Sequence, residues 1–317
     1  MFSINIFGFD FYYIFYTFLL YSLFGWVYES CLVSVKRKSF VNRGFLNGPI
    51  IPIYGAGAVL ICIILDPVSK NLFLVFLGGM ILATILEFTT SYVMEKIFHA
   101  KWWDYSNYRY NVQGRVCPIV SLFWGILSVL MTIFLKPLSN SLIHRIPRRI
   151  GEILAILMMV IILVDLVSTV ISTLKLNQKL TNMRKLREEF ATYMEKSRLY
   201  ASKEELRKKL EGGNISEFLE NIRIRMEETK GSIDHSGRYN EIEEKIRSWK
   251  EKYSTHSDHI HIIQRRLLKA FPNMKSTNNE YMLTDLRAYL HEKREIKKNN
   301  KNNKNNNKKQ HTKKNSK

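Results

Sequence analysis

The sequence predicts an all-α, polytopic membrane protein with about five transmembrane helices and a helical C-terminal extension in the cytoplasm. Three observations lead to this prediction. Five apolar stretches are long enough, or nearly so, to cross a hydrocarbon core of about 30 Å as helices. Basic residues collect beside these stretches and after the last of them. Beyond Leu174, apolar residues recur at intervals of three and four, as they do in an amphipathic helix.

The five apolar stretches differ in how well they fit a membrane span. A helix that crosses the core needs roughly 17 to 25 residues, and the second stretch is the weakest because it is short and contains Pro52, Gly55 and Gly57. A re-entrant or broken helix that lines a cavity is the alternative there, since such backbone is tolerated where it is buried in protein or faces water. The stretches cover residues 11–35, 49–65, 72–94, 117–135 and 150–174.

The distribution of basic residues predicts the topology. The first Lys or Arg is Lys36, after the first apolar stretch, and no small-residue cleavage site follows. We therefore expect a retained helix instead of a signal peptide, with the N-terminus outside and the tail cytoplasmic. The loop between the fourth and fifth stretches departs from the pattern, because it should lie outside yet is basic. Its basic residues are Lys136, Arg145, Arg148 and Arg149.

Most of the positive charge lies in the second half of the chain. The 317 residues include 48 Lys and Arg against 28 Asp and Glu, a net charge of +20. Up to Leu174 there are 13 basic and 8 acidic residues, which leaves 35 and 20 for the remainder. Basic segments beside spans favour anionic lipid head groups, so the expected partner is the lipid bilayer. The absence of a nucleic-acid recognition motif disfavours DNA or RNA.

The tail is expected to be helical. Apolar residues recur at helical spacing from residue 175 to 210, which fits a coiled coil that joins two copies of the chain or an antiparallel hairpin that packs on itself. Glycine-containing breaks then separate shorter helices. The last segment is nearly all Asn and Lys and should be disordered, because it cannot bury apolar surface. The predicted regions are a transmembrane domain over 1–174, a basic helical cytoplasmic region over 175–298 and a disordered tail over 299–317.

The third apolar stretch contains an acid, Glu87, at a depth where a charge costs about 3 kcal/mol or more and faces protein or water. Residues four apart share a helix face, so Glu87 lies on one stripe with small residues before it and Ser91 and Glu95 after it. Glu29 ends a similar face of the first stretch. Asp165 in the fifth stretch is a further intramembrane acid with no cation on its own helix.

The cytoplasmic loops supply partners for these acids. Buried carboxylates and nearby guanidinium groups need each other, so we hypothesise that Glu29 or Glu87 pairs with Arg43 or Arg115. Asn47 lies in the glycine-containing loop after Arg43. Three roles fit such a network: locking the helices together, lining a path for a substrate or lipid head group, or catalysis by carboxylates.

An aromatic and acidic cluster follows the third stretch. Its rings suit head-group depth, so we expect an interfacial anchor, with an aromatic cage for a substrate as the alternative. The complete candidate site consists of the polar network and this cluster: Glu29, Arg43, Asn47, Glu87, Ser91, Glu95, Trp102, Trp103, Asp104, Tyr105 and Arg115.

Motifs for common chemistry are absent from the sequence. There is no G-x-x-x-x-G-K-[ST] segment for ATP, and no G-x-S-x-G or H-E-x-x-H segment for hydrolysis. The histidines at 256, 259 and 261 do not have the spacing of a strong zinc motif. The three cysteines do not have the paired spacing of a disulfide framework or a zinc site. We therefore expect no metal or cofactor, no catalytic motif in this chain, and an energy source supplied by a partner or an ion gradient.

Six segments in order resemble a bacterial membrane-protein family, the CmpB-like, type IV ABC-transporter permeases. They are YSLFGWVYE (21–29), NRGFLNGPIIPIYG (42–55), ATILEFTTSYVME (83–95), WWDYS (102–106), NVQGR (111–115) and SLFWG (121–125). The resemblance implies a permease in the bacterial plasma membrane that works with a separate ATPase. The E-A-A…G segment by which familiar import permeases dock an ATPase is absent, and the tail lies outside the resemblance.

Three functions follow from these observations, in order of preference. The first is a transporter permease subunit. The second is a membrane scaffold or regulator that recruits a partner through its tail. The third is a membrane enzyme that acts on lipid or envelope precursors.

Overall fold

The computed structural model describes residues 5, 6, 8–196, 222, 224, 238–258 and 260–295. Nearly all regular structure in these residues is helical, which confirms the predicted all-α class. The chain divides into two compact units. The first unit contains residues 1–176 and 261–277, and the second contains residues 177–260 and 278–317.

The first unit is a bundle of long apolar helices with one short helix between them. Four of its helical stretches are long and apolar enough to cross a membrane: Phe11–Arg37, Leu72–Phe98, Pro118–Arg145 and the first part of Arg148–Glu195. The helices are α1 (Phe11–Arg37), α2 (Pro52–Ile64), α3 (Leu72–Phe98), α4 (Pro118–Leu130), α5 (Lys136–Arg145) and α6 (Arg148–Lys196). A π-helical turn, Met131–Leu135, joins α4 to α5 just before Pro137, which has no backbone N–H.

The second apolar stretch forms the short helix. α2 has 13 residues and is about 20 Å long, less than the thickness of a hydrocarbon core. It begins at Pro52, a residue that suits the first helical position because its missing N–H would have no partner there. Of the five predicted spans, four thus correspond to long helices and the second corresponds to one short helix.

The long helices expose apolar surface. On α6, large apolar side chains such as Ile153, Leu157 and Val164 are more than half exposed. A contiguous apolar face of this size is unfavourable in water and favourable in lipid. These helices therefore have the surface of a membrane protein.

Polar side chains fix where the helices begin. Asp10 follows a two-strand hairpin, β1 (Asn5–Ile6) and β2 (Phe9–Asp10), and accepts a hydrogen bond from the Tyr12 amide at the start of α1. Asn71 accepts from the Phe73 and Leu74 amides at the start of α3. These caps satisfy amides that have no partner within the helix.

The basic loop that departs from the predicted topology is partly neutralised. Lys136 Nζ lies 2.5 Å from Asp66 Oδ1, and Arg148 Nη1 lies 2.6 Å from Asp10 Oδ2. Arg148 also pairs with Glu152, one helical turn along α6. Two of the four basic residues in this loop region thus carry a nearby counter-charge.

After residue 237 the described helices are α7 (Arg238–Asp258), α8 (Ile262–Ala270) and α9 (residues 280–295). Of these, only α8 belongs to the first unit. His261 caps α8 by a capping box with Gln264, and Gln264 donates to the Ser172 carbonyl of α6. Strand β4 (Lys275–Ser276) then pairs antiparallel with β3 (Ala100–Lys101). We call residues 261–277 the docked segment.

The second unit is built from helices of the tail. Trp249 of α7 stacks on Phe190 of α6, with ring centroids 4.6 Å apart, and donates to the Leu186 carbonyl at 2.8 Å. The apolar stripe that suggested a coiled coil is buried within this chain: Leu180, Met183, Phe190 and Met194 are at most 3% exposed. In the described part of the tail, this stripe therefore packs against helices of the same chain. The predicted disordered tail, 299–317, and most of residues 197–237 lie outside the described residues.

A buried ion pair also holds the second unit together. Arg187 Nη1 of α6 lies 2.7 Å from Asp285 Oδ2 of α9, and both side chains are nearly buried. Burial raises the pKa of Asp285, against the opposing influence of the arginine.

Removing one partner of this pair should destabilise the second unit. Arg187→Met leaves the Asp285 carboxylate buried and unpaired, which typically costs 3–5 kcal/mol. We expect a clear drop in the unfolding midpoint of the full chain in detergent, followed by fluorescence. The double variant Arg187→Met, Asp285→Leu should recover most of the loss. A double variant as unstable as the single one would contradict this role.

Candidate functional site

One end of the first unit collects most of the candidate residues. This polar end consists of the loops 38–51 and 99–117 and of the docked segment. Phe45 from the first loop packs edge-on against Trp102 from the second, with ring centroids 5.1 Å apart. Glu29 approaches this end from α1, and Glu87 and Glu95 approach it from α3.

The hypothesised pair of Glu29 and Arg43 is present. Arg43 Nε lies 3.4 Å from Glu29 Oε2, and the Tyr54 hydroxyl of α2 donates to Glu29 Oε1 at 2.9 Å. Gly25, one turn earlier on α1, allows this approach, because a side chain there would overlap the Tyr54 ring. Burial lowers the pKa of Arg43, and Glu29 opposes this change. The pair therefore joins α1, the first loop and α2.

Arg115 pairs with Glu95 and not with Glu87. Its Nη2 lies 2.7 Å from Glu95 Oε2, and its Nη1 donates to Ser91 Oγ at 3.3 Å. Arg115 is positioned by the turn before it, in which Gly114 adopts a φ of +70°. Glu95 is two helical turns beyond Glu87, about 12 Å along α3, and is therefore the acid nearer the loop from which Arg115 comes.

The hydrogen bonds of Glu87 come from uncharged donors. The Tyr105 hydroxyl donates to its Oε1 at 3.0 Å, and Trp124 Nε1 of α4 donates to its Oε2 at 2.9 Å. The residue is only 5% exposed. Among the residues that the structure describes, none forms an ion pair with Glu87. Burial and the neighbouring carboxylate raise the pKa of Tyr105, so its hydroxyl keeps its proton and can donate it.

A cavity of about 220 Å³ lies beside Glu87. Residues of α1, α2, α3 and α4 line it, and almost all of them are apolar. Gly57 and Ala83 are small residues in its wall. Tyr54 and Trp124, whose rings are 5.5 Å apart, also line it, and the Tyr54 hydroxyl contacts Glu29. The cavity is thus an apolar chamber with one carboxylate in its wall.

The aromatic cluster after α3 packs against protein. Trp102 is 3% exposed and contacts Phe45, Phe98 and Phe271. Trp103 Nε1 donates to the Arg115 carbonyl at 3.1 Å. The expectation of an interfacial anchor does not hold for Trp102, because its ring is covered by the docked segment instead of lying at the surface.

Asp104 holds the docked segment from the loop side. Lys275 Nζ lies 2.6 Å from Asp104 Oδ2, while the Ser106 hydroxyl and amide donate to Oδ1. These hydrogen bonds, that from Lys275 above all, lower the pKa of Asp104 to about 2. The carboxylate is therefore charged at any physiological pH.

Asn47 joins two residues from distant parts of the chain. Asp165 of α6 accepts from the Asn47 amide at 3.0 Å, from Asn47 Nδ2 at 2.7 Å and from the Gly48 amide at 2.7 Å. On the other side, Arg266 Nε of α8 donates to Asn47 Oδ1 at 3.0 Å. The intramembrane acid thus meets the loop backbone and the Asn47 side chain, and Arg266 lies on the other side of Asn47.

Arg266 binds three acceptors of the first loop. In addition to Asn47, its Nη1 donates to the Gly44 carbonyl at 2.6 Å and its Nη2 to the Phe45 carbonyl at 2.5 Å. A planar guanidinium suits such a set of acceptors. Burial lowers the pKa of Arg266 to about 10, so it remains charged at neutral pH.

Phe271 completes the contact of the docked segment. Its ring lies 4.9 Å from that of Trp102 and 4.5 Å from the Arg43 guanidinium, which sits over its face. Arg43 also donates to the Ala270 carbonyl. Sequence reasoning missed Arg266 and Phe271, because no local pattern in the tail indicates which of its many basic and aromatic residues meets the loops.

These features define a class of protein. A bundle of long helices with apolar surfaces, an internal cavity and a layer of paired charges at one end is a helical membrane protein. Residues 16–170 match the family model described as Putative ABC-transporter type IV. The matched residues include the cavity lining and every candidate residue, and the family is the one that the sequence motifs resemble. The match supports a transporter-related role.

The docked segment lies outside the matched residues. No curated protein and no solved structure matches the chain. The role of the individual site residues must therefore be argued from their geometry.

A charge exchange should distinguish the two carboxylates on α3. Arg115→Glu places two acids together at the polar end and should remove most of the folded yield, because breaking a buried pair typically costs 3–5 kcal/mol. Adding Glu95→Arg restores opposite charges and should recover at least half of the yield, measured by size-exclusion chromatography. Adding Glu87→Arg to Arg115→Glu should recover none. Equal recovery by both exchanges would contradict the observed pairing.

Loss of Arg266 should loosen the first loop. In Arg266→Ala two carbonyls and the Asn47 side chain lose a charged donor, and each such bond contributes about 1.5–3 kcal/mol. We expect amide exchange in residues 44–48 to accelerate by about tenfold or more, measured by hydrogen–deuterium exchange. Arg265→Ala removes the same charge one residue earlier and should leave this exchange unchanged. Equal effects of the two substitutions would show that the exchange rate of the loop depends on net charge and not on the contacts of Arg266.

Proposed function

We propose that the protein is the permease subunit of a membrane transporter and that its substrate occupies the cavity beside Glu87. The observation that carries the proposal is the cavity itself, a largely apolar space among four helices with a carboxylate in its wall. Packing alone does not require a buried acid there, since an apolar residue would fill the position at lower cost. The transporter-type family match supports the same interpretation.

We propose that the chain lies in the bacterial plasma membrane as a multi-pass protein, with its N-terminus outside and its tail in the cytoplasm. The loops 38–51 and 99–117 and the docked segment share one end of the first unit, and all three contain basic residues. At the start of α6, by contrast, Arg148 is paired with Asp10 and Glu152. In these three segments basic residues outnumber acidic ones, which supports a cytoplasmic position of the polar end.

The energy for transport would come from a separate ATPase. The sequence contains no P-loop, so this chain does not bind ATP by that motif. The polar end, if cytoplasmic, is the face available to such a partner. A permease of this type would couple ATP hydrolysis in the partner to rearrangement of the helices around the cavity.

Purification of the full chain from its own organism tests this proposal. After mild crosslinking, we expect a P-loop ATPase in stoichiometric amount, with ATP hydrolysis that the isolated permease lacks. Gly57→Leu should lower transport-coupled hydrolysis several-fold, because a side chain at this wall position fills the cavity without an overlap at its Cβ. Glu152→Gln, at the exposed ion pair on α6, is the matched control. Absence of an ATPase, together with unchanged ATP-dependent uptake and efflux on deletion, would overturn the proposal.

A membrane scaffold is the second candidate. The second unit supports it, because α6, α7 and α9 bury their own apolar core and an ion pair. Such a unit can present a partner-binding surface without the cavity. If Gly57→Leu fills the cavity and the phenotype of the cells does not change, this result would favour the scaffold.

A further inference from the structure

We infer that the cavity binds a cationic amphiphile: its ammonium or guanidinium group at Glu87 and its apolar body in the chamber. The inference rests on the proposed function in placing the substrate in this cavity, and it adds the chemical class of that substrate. It depends on three observations: the charge balance of the acids, the hydrogen bonds of Glu87 and the apolar wall.

The charge balance leaves Glu87 without a counter-charge. Of the three acids that α1 and α3 bring toward the polar end, Glu29 pairs with Arg43 and Glu95 pairs with Arg115. Both arginines also have further partners, Arg43 in the docked segment and Arg115 on α3. Within the described part of the chain, neither arginine forms an ion pair with Glu87. The acid without an ion-pair partner among the described residues therefore lies at the cavity.

The hydrogen bonds of Glu87 favour its charged form. The indole N–H of Trp124 can only donate, so the oxygen that it contacts must accept. The Tyr105 hydroxyl serves the other oxygen. An ionised carboxylate can accept about four hydrogen bonds, and these two donors leave acceptor positions for a ligand. The protein thus holds the carboxylate in place and leaves it incompletely satisfied.

The apolar wall selects the rest of the ligand. Leu86, Leu127 and Ile61 line the chamber from three helices, and the small residues Gly57 and Ala83 leave room between them. An alkyl or aromatic body gains free energy by leaving water for such a wall. A small hydrated cation would leave the wall unfilled and must be dehydrated to enter.

The same arrangement disfavours other ligands. An anion would approach Glu87 with Glu29 also nearby, and like charges in a buried site repel strongly. A neutral apolar molecule would fill the chamber but leave the carboxylate buried without a counter-charge, which is costly. A cation on an apolar body satisfies both parts of the site.

Binding of three decyl compounds tests the inference. The full chain in phosphatidylcholine nanodiscs is titrated calorimetrically at pH 7.4 with decylammonium, decanol and decanoate, and the heats of empty nanodiscs are subtracted. We expect the wild type to bind decylammonium at least tenfold more tightly than decanol and decanoate. This comparison holds the apolar body constant and varies the charge.

Three variants separate the contributions. Glu87→Gln keeps the size and the acceptor oxygen of the side chain and should abolish the preference for decylammonium over decanol. Gly57→Leu should weaken the binding of every decyl compound that the wild type binds, by tenfold or more, because the leucine side chain fills the chamber. Glu152→Gln, the same chemical change at an exposed acid, should bind as the wild type does. Unchanged retention on size-exclusion chromatography shows that each variant is folded.

Two results would overturn the inference. One is a wild type that binds decanol or decanoate as tightly as decylammonium. The other is a folded Glu87→Gln variant that keeps the full preference for the cation. The assay contains no ATPase and no transport step, so its failure is separate from that of the proposed function. If the protein binds the cation selectively but has no ATPase partner, only the proposal of a permease is overturned. If it supports ATP-coupled transport but does not prefer the cation, only the proposed ligand class is overturned.

Discussion

The contact of Asn47 with Asp165 and Arg266 is the interaction on which the polar end depends. Asp165 holds the loop backbone at Asn47 and Gly48, and Arg266 holds it at Gly44 and Phe45. The loop can then turn tightly enough for α2 to begin at Pro52. Because α2 starts there, Tyr54 reaches both Glu29 and the cavity wall. A short helix that cannot cross a membrane is thus held in place by charged groups at one end.

The three acids of α1 and α3 have two different kinds of partner. Glu29 and Glu95 have arginine partners, and these pairs join helices to loops. Glu87 has two neutral donors instead, and it borders the cavity. If all three acids served packing alone, each would be expected to have the same kind of partner. The difference between Glu87 and its two neighbours supports the proposal that Glu87 belongs to a binding site, whereas Glu29 and Glu95 join helices to loops.

The sequence predicted the class of fold and much of the site, for physical reasons that also set its limits. Long apolar stretches and four-residue spacing require little context, so the helices and the polar face of α3 were predictable. The pair of Glu29 and Arg43 was also expected. Spacing does not show which turn of a helix a loop arginine will reach, and Arg115 meets Glu95. Nor could it show that Trp102 is covered by Phe271, because that contact joins residues about 170 positions apart.

The docked segment has a consequence for the order in which the protein matures. Arg266 and Phe271 are made more than 200 residues after their partners in the loop 38–51. During that interval the Gly44 and Phe45 carbonyls and the Trp102 ring lack the contacts that cover them in the finished molecule. The spans can enter a bilayer as they emerge, but the polar end can close only after the docked segment has been made. The membrane bundle is therefore completed from its tail.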